Sequence, residues 1–164
     1  VNAKMAVRRV YFHATERGLR EVVDADLSNY FTTIPHGPSM RCLSRRIADG
    51  SVLSVVKLWL RAPVVERRGR TEPRTTVAAD TNRGVPQGSP ISPLASNLYF
   101  RRFILAWKQF GHEQGLGARV VNFADDLVIC CRPGSGAEAM TTFRNLITRL
   151  GLSSTCAVFV GDRG

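Results

Sequence analysis

Two adjacent carboxylates, Asp125 and Asp126, stand between the apolar runs 119–122 and 127–131. Runs of this length and composition read as strands, and two of them parted by a short polar tip read as a hairpin. Acid side chains are expensive to bury unpaired, so such a tip suits water or a cation. Far upstream, Val22-Val23-Asp24-Ala25-Asp26-Leu27 is a second strand-like run ending in acid. Between them lies Arg83-Gly84-Val85-Pro86-Gln87-Gly88-Ser89-Pro90, a Gly/Pro loop just ahead of a helix. The fold has to accommodate acids from two strands and a tight loop between them.

The pattern around these segments gives an element order. Ala3, Ala6, Val7, Val10, Tyr11 and Ala14 recur at helical spacing, which predicts a helix from Asn2 to Arg17, ended by Gly18. A strand follows over Glu21 to Asp26, then an aromatic turn over Tyr30 to His36. Ser39 and Ser51 are placed to cap helices running to Ile47 and Leu60, closed by Pro63. The stretch 61–83 is basic and rich in Thr and Gly, with hairpin-like pieces at Val64-Val65 and Thr75-Thr76-Val77. Ser92-Pro93 starts a helix to about Phe110, with Ser as cap and Pro in the first turn. The acidic hairpin, a helix marked by Phe143, Leu146, Ile147 and Leu150, and a last strand over Ala157 to Val160 complete the chain. No repeat or low-complexity segment occurs. A mixed order of this kind predicts the α+β class, a small antiparallel sheet with helices packed on one face.

Composition narrows the partners. A chain of 164 residues is one domain's worth, and no apolar stretch approaches the roughly 20 residues that span a bilayer. The start, Val1-Asn2-Ala3-Lys4, has no initiator Met and no long apolar run after it, so the expectation is a chain beginning inside a longer frame, without a signal peptide. A cytoplasmic location and no membrane partner go with that expectation. Net charge is +10, from 23 Lys and Arg against 13 Asp and Glu, which suits a polyanion as well as a merely soluble basic protein. Cys42, Cys130, Cys131 and Cys156 show no zinc spacing and read as reduced thiols.

Acids on two strands can serve nucleotidyl transfer. A primer 3′-hydroxyl attacks an α-phosphate while pyrophosphate leaves, and two Mg²⁺ ions roughly 4 Å apart assist both oxygens. Mg²⁺ prefers carboxylate, phosphate and water oxygens. Asp26 and Asp125 meet that need, with Asp126 assisting; Asp24 shares a strand face with Asp26 and is a rival on geometry. Each part alone has a plainer reading: a solvated turn, an ordinary loop, a core aromatic. Their order and separation carry the case.

Here the chain resembles the reverse transcriptases of bacterial group II introns, from the first helix to about Gly151. Val23-Asp24-Ala25-Asp26-Leu27-Ser28-Asn29-Tyr30-Phe31-Thr32-Thr33-Ile34-Pro35-His36 is similar to that family's first palm motif. The spacing of the motif picks Asp26 over Asp24 and implies that Phe31 lies beneath the incoming sugar, favouring dNTPs. The run Arg83 to Leu94 resembles the second motif, in which Pro86-Gln87-Gly88 contacts nucleotide and template; Asn97 and Tyr99-Phe100 continue it. Phe123-Ala124-Asp125-Asp126 is similar to the Tyr-Ala-Asp-Asp box.

The resemblance implies a right-hand polymerase palm and RNA-directed DNA polymerase activity. It implies Asp26, Asp125 and Asp126 as catalytic metal ligands, and Phe31, Gln87, Gly88 and Arg83 at the substrate. Two Mg²⁺ ions, replaceable by Mn²⁺, follow as cofactors. RNA template or intron RNA, DNA primer or target DNA, and dNTPs follow as partners. The expected domain is a partial reverse transcriptase domain over 1–164, with a basic insertion near 61–83 and a divergent tail over 153–164.

Three departures bear on activity. Phe123 replaces Tyr, and Ser89 stands where Gly is usual, adding a Cβ in a tight loop. After Leu150-Gly151-Leu152 the family continues to an Asn and a Lys-Thr pair, whereas no lysine follows Lys108 here. A reading-frame shift near Leu152 accounts for that, and the fingers and thumb of the family lie outside this span. Alternatives are a catalytically silent remnant that binds intron RNA, and an inert, poorly folded product. A palm-like nucleotide cyclase also needs paired acids, but the Pro-Gln-Gly loop argues against it.

Overall fold

The computed structural model describes residues 2–62, 64–66, 74–76, 82–85, 89–123 and 126–161. They form α1 (Ala3–Thr15), β1 (Glu21–Ser28), α2 (Tyr30–Thr33), α3 (His36–Ser44), α4 (Gly50–Arg61), β2 (Val64–Glu66) and β3 (Arg74–Thr76). There follow α5 (Ser92–Gln109), α6 (His112–Gly115), β4 (Arg119–Phe123), β5 (Asp126–Cys131), α7 (Gly136–Arg149) and β6 (Ser153–Val160). Two compact units emerge: Asn29–Phe100, and Val1–Ser28 with Arg101–Gly164.

The second of these is built on one antiparallel sheet in the order β4-β5-β1-β6. β1 sits inside it, paired with β5 from Glu21↔Cys131 to Ala25↔Leu127 and with β6 along its whole length. Strand alternation sends Val23, Ala25, Leu27, Leu127 and Ile129 into the core. α7 packs against that face, and its Phe143 meets Phe103 of α5 edge to face at 5.3 Å. Trp107 and Phe143 are fully buried; truncating either to Ala would cost about 3–5 kcal/mol through lost contacts and a cavity. Glu21 caps α7 across the fold, accepting from the Gly136 N–H at 2.6 Å, and a side chain at Gly136 would press on that carboxylate and on Val158.

α1 is opened by the Asn2 side chain, which accepts from Met5 N at 2.9 Å, and it stops before Gly18, whose φ is +66°. The helix contacts β4 and β5 and, with the outward residues of β1 and β6, lines an open groove of about 800 Å³.

In the other unit, α4 is capped by Asp49, which accepts from Ser51 N and Val52 N; the predicted cap Ser51 is already inside the helix. Ser39 likewise lies inside α3, donating to Pro35 O, because Pro35 supplies the extended residue from which that helix starts. The aromatic turn contains a one-turn helix, α2, entered through Asn29 in the left-handed region. β2 and β3 pair antiparallel in the basic stretch. Tyr30, Ile34, Leu60, Val85, Tyr99 and Phe100 are buried.

The last strand begins at Ser153, four residues ahead of the expected start. Ser153-Ser154-Thr155 is a weak strand former by itself, but the full length of β1 offers it backbone partners, and that pairing decides.

Candidate active site

At one end of the sheet, β1 finishes as β5 begins. Asp24 and Asp26 alternate with buried Val23, Ala25 and Leu27, so both acids face outward and are exposed. The β1–β5 register runs through Asp24↔Val128 and ends at Ala25↔Leu127, so Asp26 and Asp126 each lie one residue beyond the last pair, at the same end of the two strands. Asp24 instead lies between Val128 and Ala157 and lines the open groove with Val10, Val22 and Phe159. The two rivals therefore have different surroundings: Asp26 lies past the last β1–β5 pair, at the end where β5 begins with Asp126, and Asp24 lies among apolar side chains. Thr155 of β6 is the residue opposite Asp26 on its other side.

Asp126 also pairs with Phe123 in the β4–β5 hairpin. Asp125 lies outside the described residues, as do Gln87 and Gly88. Among the described residues Asp26 and Asp126 have no hydrogen-bond partner, and no group of three or more His, Cys, Asp or Glu side chains is assembled. Exposed, hard carboxylate oxygens at the same end of two paired strands form a donor set that fits Mg²⁺ or Mn²⁺.

The Asn29–Phe100 unit carries the remaining predicted residues. Phe31 is half-buried beside Tyr30, with ring centroids 5.8 Å apart. The Tyr30 hydroxyl donates to Ser96 O at 2.6 Å, and burial raises its pKa, so it stays a neutral donor that ties α2 to α5. Arg83 is exposed, bridges Pro35 through the backbone and reaches Thr33 O at 3.5 Å.

Sequence reasoning left His36 without a role. Its Nε2 lies 2.6 Å from Gly84 O in a buried setting, which makes Nε2–H the donor, and His36 N donates to Asn82 O at 2.9 Å. Gly84 N in turn donates to Ile34 O at 2.8 Å and Val85 N to Phe31 O at 2.7 Å. Gly84 has φ +88°, and a Cβ there would meet Thr32 O at 2.9 Å, so glycine is required. The segment leading into Pro86-Gln87-Gly88 is thus clamped to the one carrying Phe31. The Ile34-Pro35-His36 spacing was the available signal.

Comparison with known proteins gives a family. A family model described as reverse transcriptase (RNA-dependent DNA polymerase) matches residues 4–154. Protein YkfC of Escherichia coli strain K12 is 33% identical over 117 residues, covering 70% of this chain and 28% of that protein. A putative COX1/OXI3 intron 2 protein of Saccharomyces cerevisiae is 31% identical over 77 residues, 47% of this chain and 8% of that one. The chain thus spans less than a third of these relatives. Among solved structures, apo telomerase from Candida tropicalis, truncated from its C-terminal domain, superposes with a TM-score of 0.70 at 12% identity, covering all of this chain and 36% of that one. Telomerase from the same organism bound to a fragment of telomeric RNA gives 0.68 at 10% identity, covering all of this chain and 30% of that one. The fold is that of a polymerase palm, in the α+β class.

Proposed function

Because this chain belongs to the reverse transcriptase (RNA-dependent DNA polymerase) family, we propose that it is the palm of a group II intron protein, adding dNTPs to a primer 3′-hydroxyl on an RNA template. The observation that carries the reading is that exposed Asp26 and Asp126 lie at the same end of β1 and β5, each one residue past the last pair, Ala25↔Leu127. The intron-encoded relative supports the group II assignment, and the RNA-bound telomerase neighbour supports an RNA partner.

Asp26, Asp125 and Asp126 would hold two Mg²⁺ ions, or Mn²⁺ in their place. When bound, such ions activate the attacking hydroxyl and offset charge on the leaving pyrophosphate. The carboxylates would bind and orient the ions. Phe31 sets a ring against the incoming sugar and excludes a 2′-hydroxyl. Gln87, Gly88 and Arg83 position nucleotide and template. The reverse transcriptase domain covers 1–164 in part, with the 61–83 insertion and the tail from 153 as its divergent pieces. Nothing in the tail supplies the family lysine, which favours a second reading: a silent remnant that binds intron RNA.

The test is extension of a DNA primer on an RNA template with Mg²⁺ and dNTPs, beside Asp125→Ala. Extension abolished by the substitution is the expected result. No extension from a folded chain would replace the polymerase reading with the RNA-binding one.

A further inference from the structure

At the opposite end of the sheet from the acids, α1, α6, β4 and the residues after β5 enclose a second pocket of about 270 Å³. It is lined by Phe12, His13, Arg17, Glu113, Arg119 and Arg132, with Leu19 and Gly117. The six residues of β5 separate it from the acidic tip by about 17–20 Å.

Three guanidinium groups meet here, and among the described residues the one carboxylate lining the pocket is Glu113, 2.8 Å from Arg119. The other two cations are held by neutral groups. Arg17 sits over the Phe12 ring at 5.6 Å. Arg132 donates to Gln114 O and Gly115 O, both at 3.3 Å, and lies so close over Gly117 that any side chain there would collide with it. His13 Nδ1 is buried and without a hydrogen-bond partner among the described residues. Burial lowers the His13 pKa, and the charges of Arg119, Arg17 and Arg9 lower it further, with only Glu113 opposing. A pocket with this excess of fixed positive charge and planar donors matches a tetrahedral oxyanion.

We propose that this pocket binds a phosphate group, from an RNA backbone or from a free phosphate, at a site separate from the acidic tip. Arg17 and Arg119 supply the charge, Arg132 forms the wall, and Glu113 weakens the site by occupying Arg119.

The test follows the His13 imidazole by NMR in the full chain while inorganic phosphate, and separately a short single-stranded RNA, is added. A bound anion moves the His13 resonances and brings its pKa back toward 6.5. RNA affinity is then compared across salt concentrations for four proteins. Glu113→Gln is expected to tighten binding about fivefold, the worth of one screened charge. Glu138→Gln, the same charge change on exposed α7, is expected to do nothing. Arg17→Gln with Arg119→Gln is expected to flatten the slope of log affinity against log salt by about 0.7, the worth of one phosphate contact on a single strand. A His13 response to phosphate without an RNA effect of Glu113→Gln assigns the site to free phosphate; a response to RNA alone assigns it to the backbone. Resonances unmoved by both probes, or an equal gain from Glu138→Gln, overturns the proposal.

Discussion

The two ends of the four-stranded sheet carry opposite charge and are built by opposite means. At the acidic end Asp26 and Asp126 stand exposed and, among the described residues, unpaired. At the basic end every guanidinium that lines the pocket is engaged: Arg119 by Glu113, Arg17 by the Phe12 ring, Arg132 by two carbonyls. Left without partners, like charges repel, so the acidic end lowers stability unless a cation joins it. The basic end holds its charges through contacts that also stabilise the fold. One end leaves its carboxylates without a protein partner among the described residues, and the other fixes its cations in place.

The largest effect that tests this contrast lies at the acidic end. Asp26→Asn is expected to reduce primer extension by at least about 100-fold, as losing one charged contact to the reacting centre does elsewhere. Asp24→Asn, two residues away on the same face, is expected to stay within about threefold of the parent. Steady-state extension rates with matched melting temperatures decide it. Equal losses from both would mean that the end of β1 and β5 past Ala25↔Leu127, where Asp26 and Asp126 lie, does not define the site. Next in size is Gly117→Ala at the basic end. Its φ of +55° and the overlying Arg132 together predict a loss of about 1–2 kcal/mol in urea unfolding. RNA affinity should fall with it as Arg132 is displaced. An unchanged midpoint would show that Arg132 is free to move and that the basic end is no more prepared than any exposed patch.

The same contrast explains what could be read from the sequence. The acidic end is contiguous in the chain: Asp125 and Asp126 adjoin, and Asp24 and Asp26 end one strand-like run, so alternation and spacing sufficed. The sheet strands and the long helices α1, α5 and α7 were legible for the same reason, since period and breakers lie within each segment. Helix starts at α3 and α4 were misassigned because a serine near a helix start looks like a cap, while Pro35 and Asp49 did that work. The first half of β6 was hidden because its strand character comes from β1 rather than from Ser153-Ser154-Thr155. The basic pocket was invisible for a stronger reason. Its arginines come from the turn after α1, from β4 and from the turn after β5, each an ordinary surface residue until the sheet brings them together. The His36–Gly84 clamp spans 48 positions and sits between these cases. Its partners fall in recognisable segments, yet only the fold shows that they touch.

The smallest expected effect is in stability without ligand, and its sign is the informative part. Replacing Asp126 by Asn removes one of two like charges at the same end of β1 and β5 and breaks no hydrogen bond among the described residues, so urea unfolding without divalent ions should show a gain of about 0.5 kcal/mol. Arg119→Gln removes an exposed ion pair with Glu113 and should show a loss of similar size. Both differences should shrink at high salt, because exposed charges are screened. Adding Mg²⁺ should reverse the first comparison, stabilising the parent above Asp126→Asn, since an ion that binds only the folded site raises its stability by mass action. If Mg²⁺ leaves the parent and Asp126→Asn equally stable, the acids do not share an ion. The exposed pair would then be no more than two carboxylates at the end of a sheet.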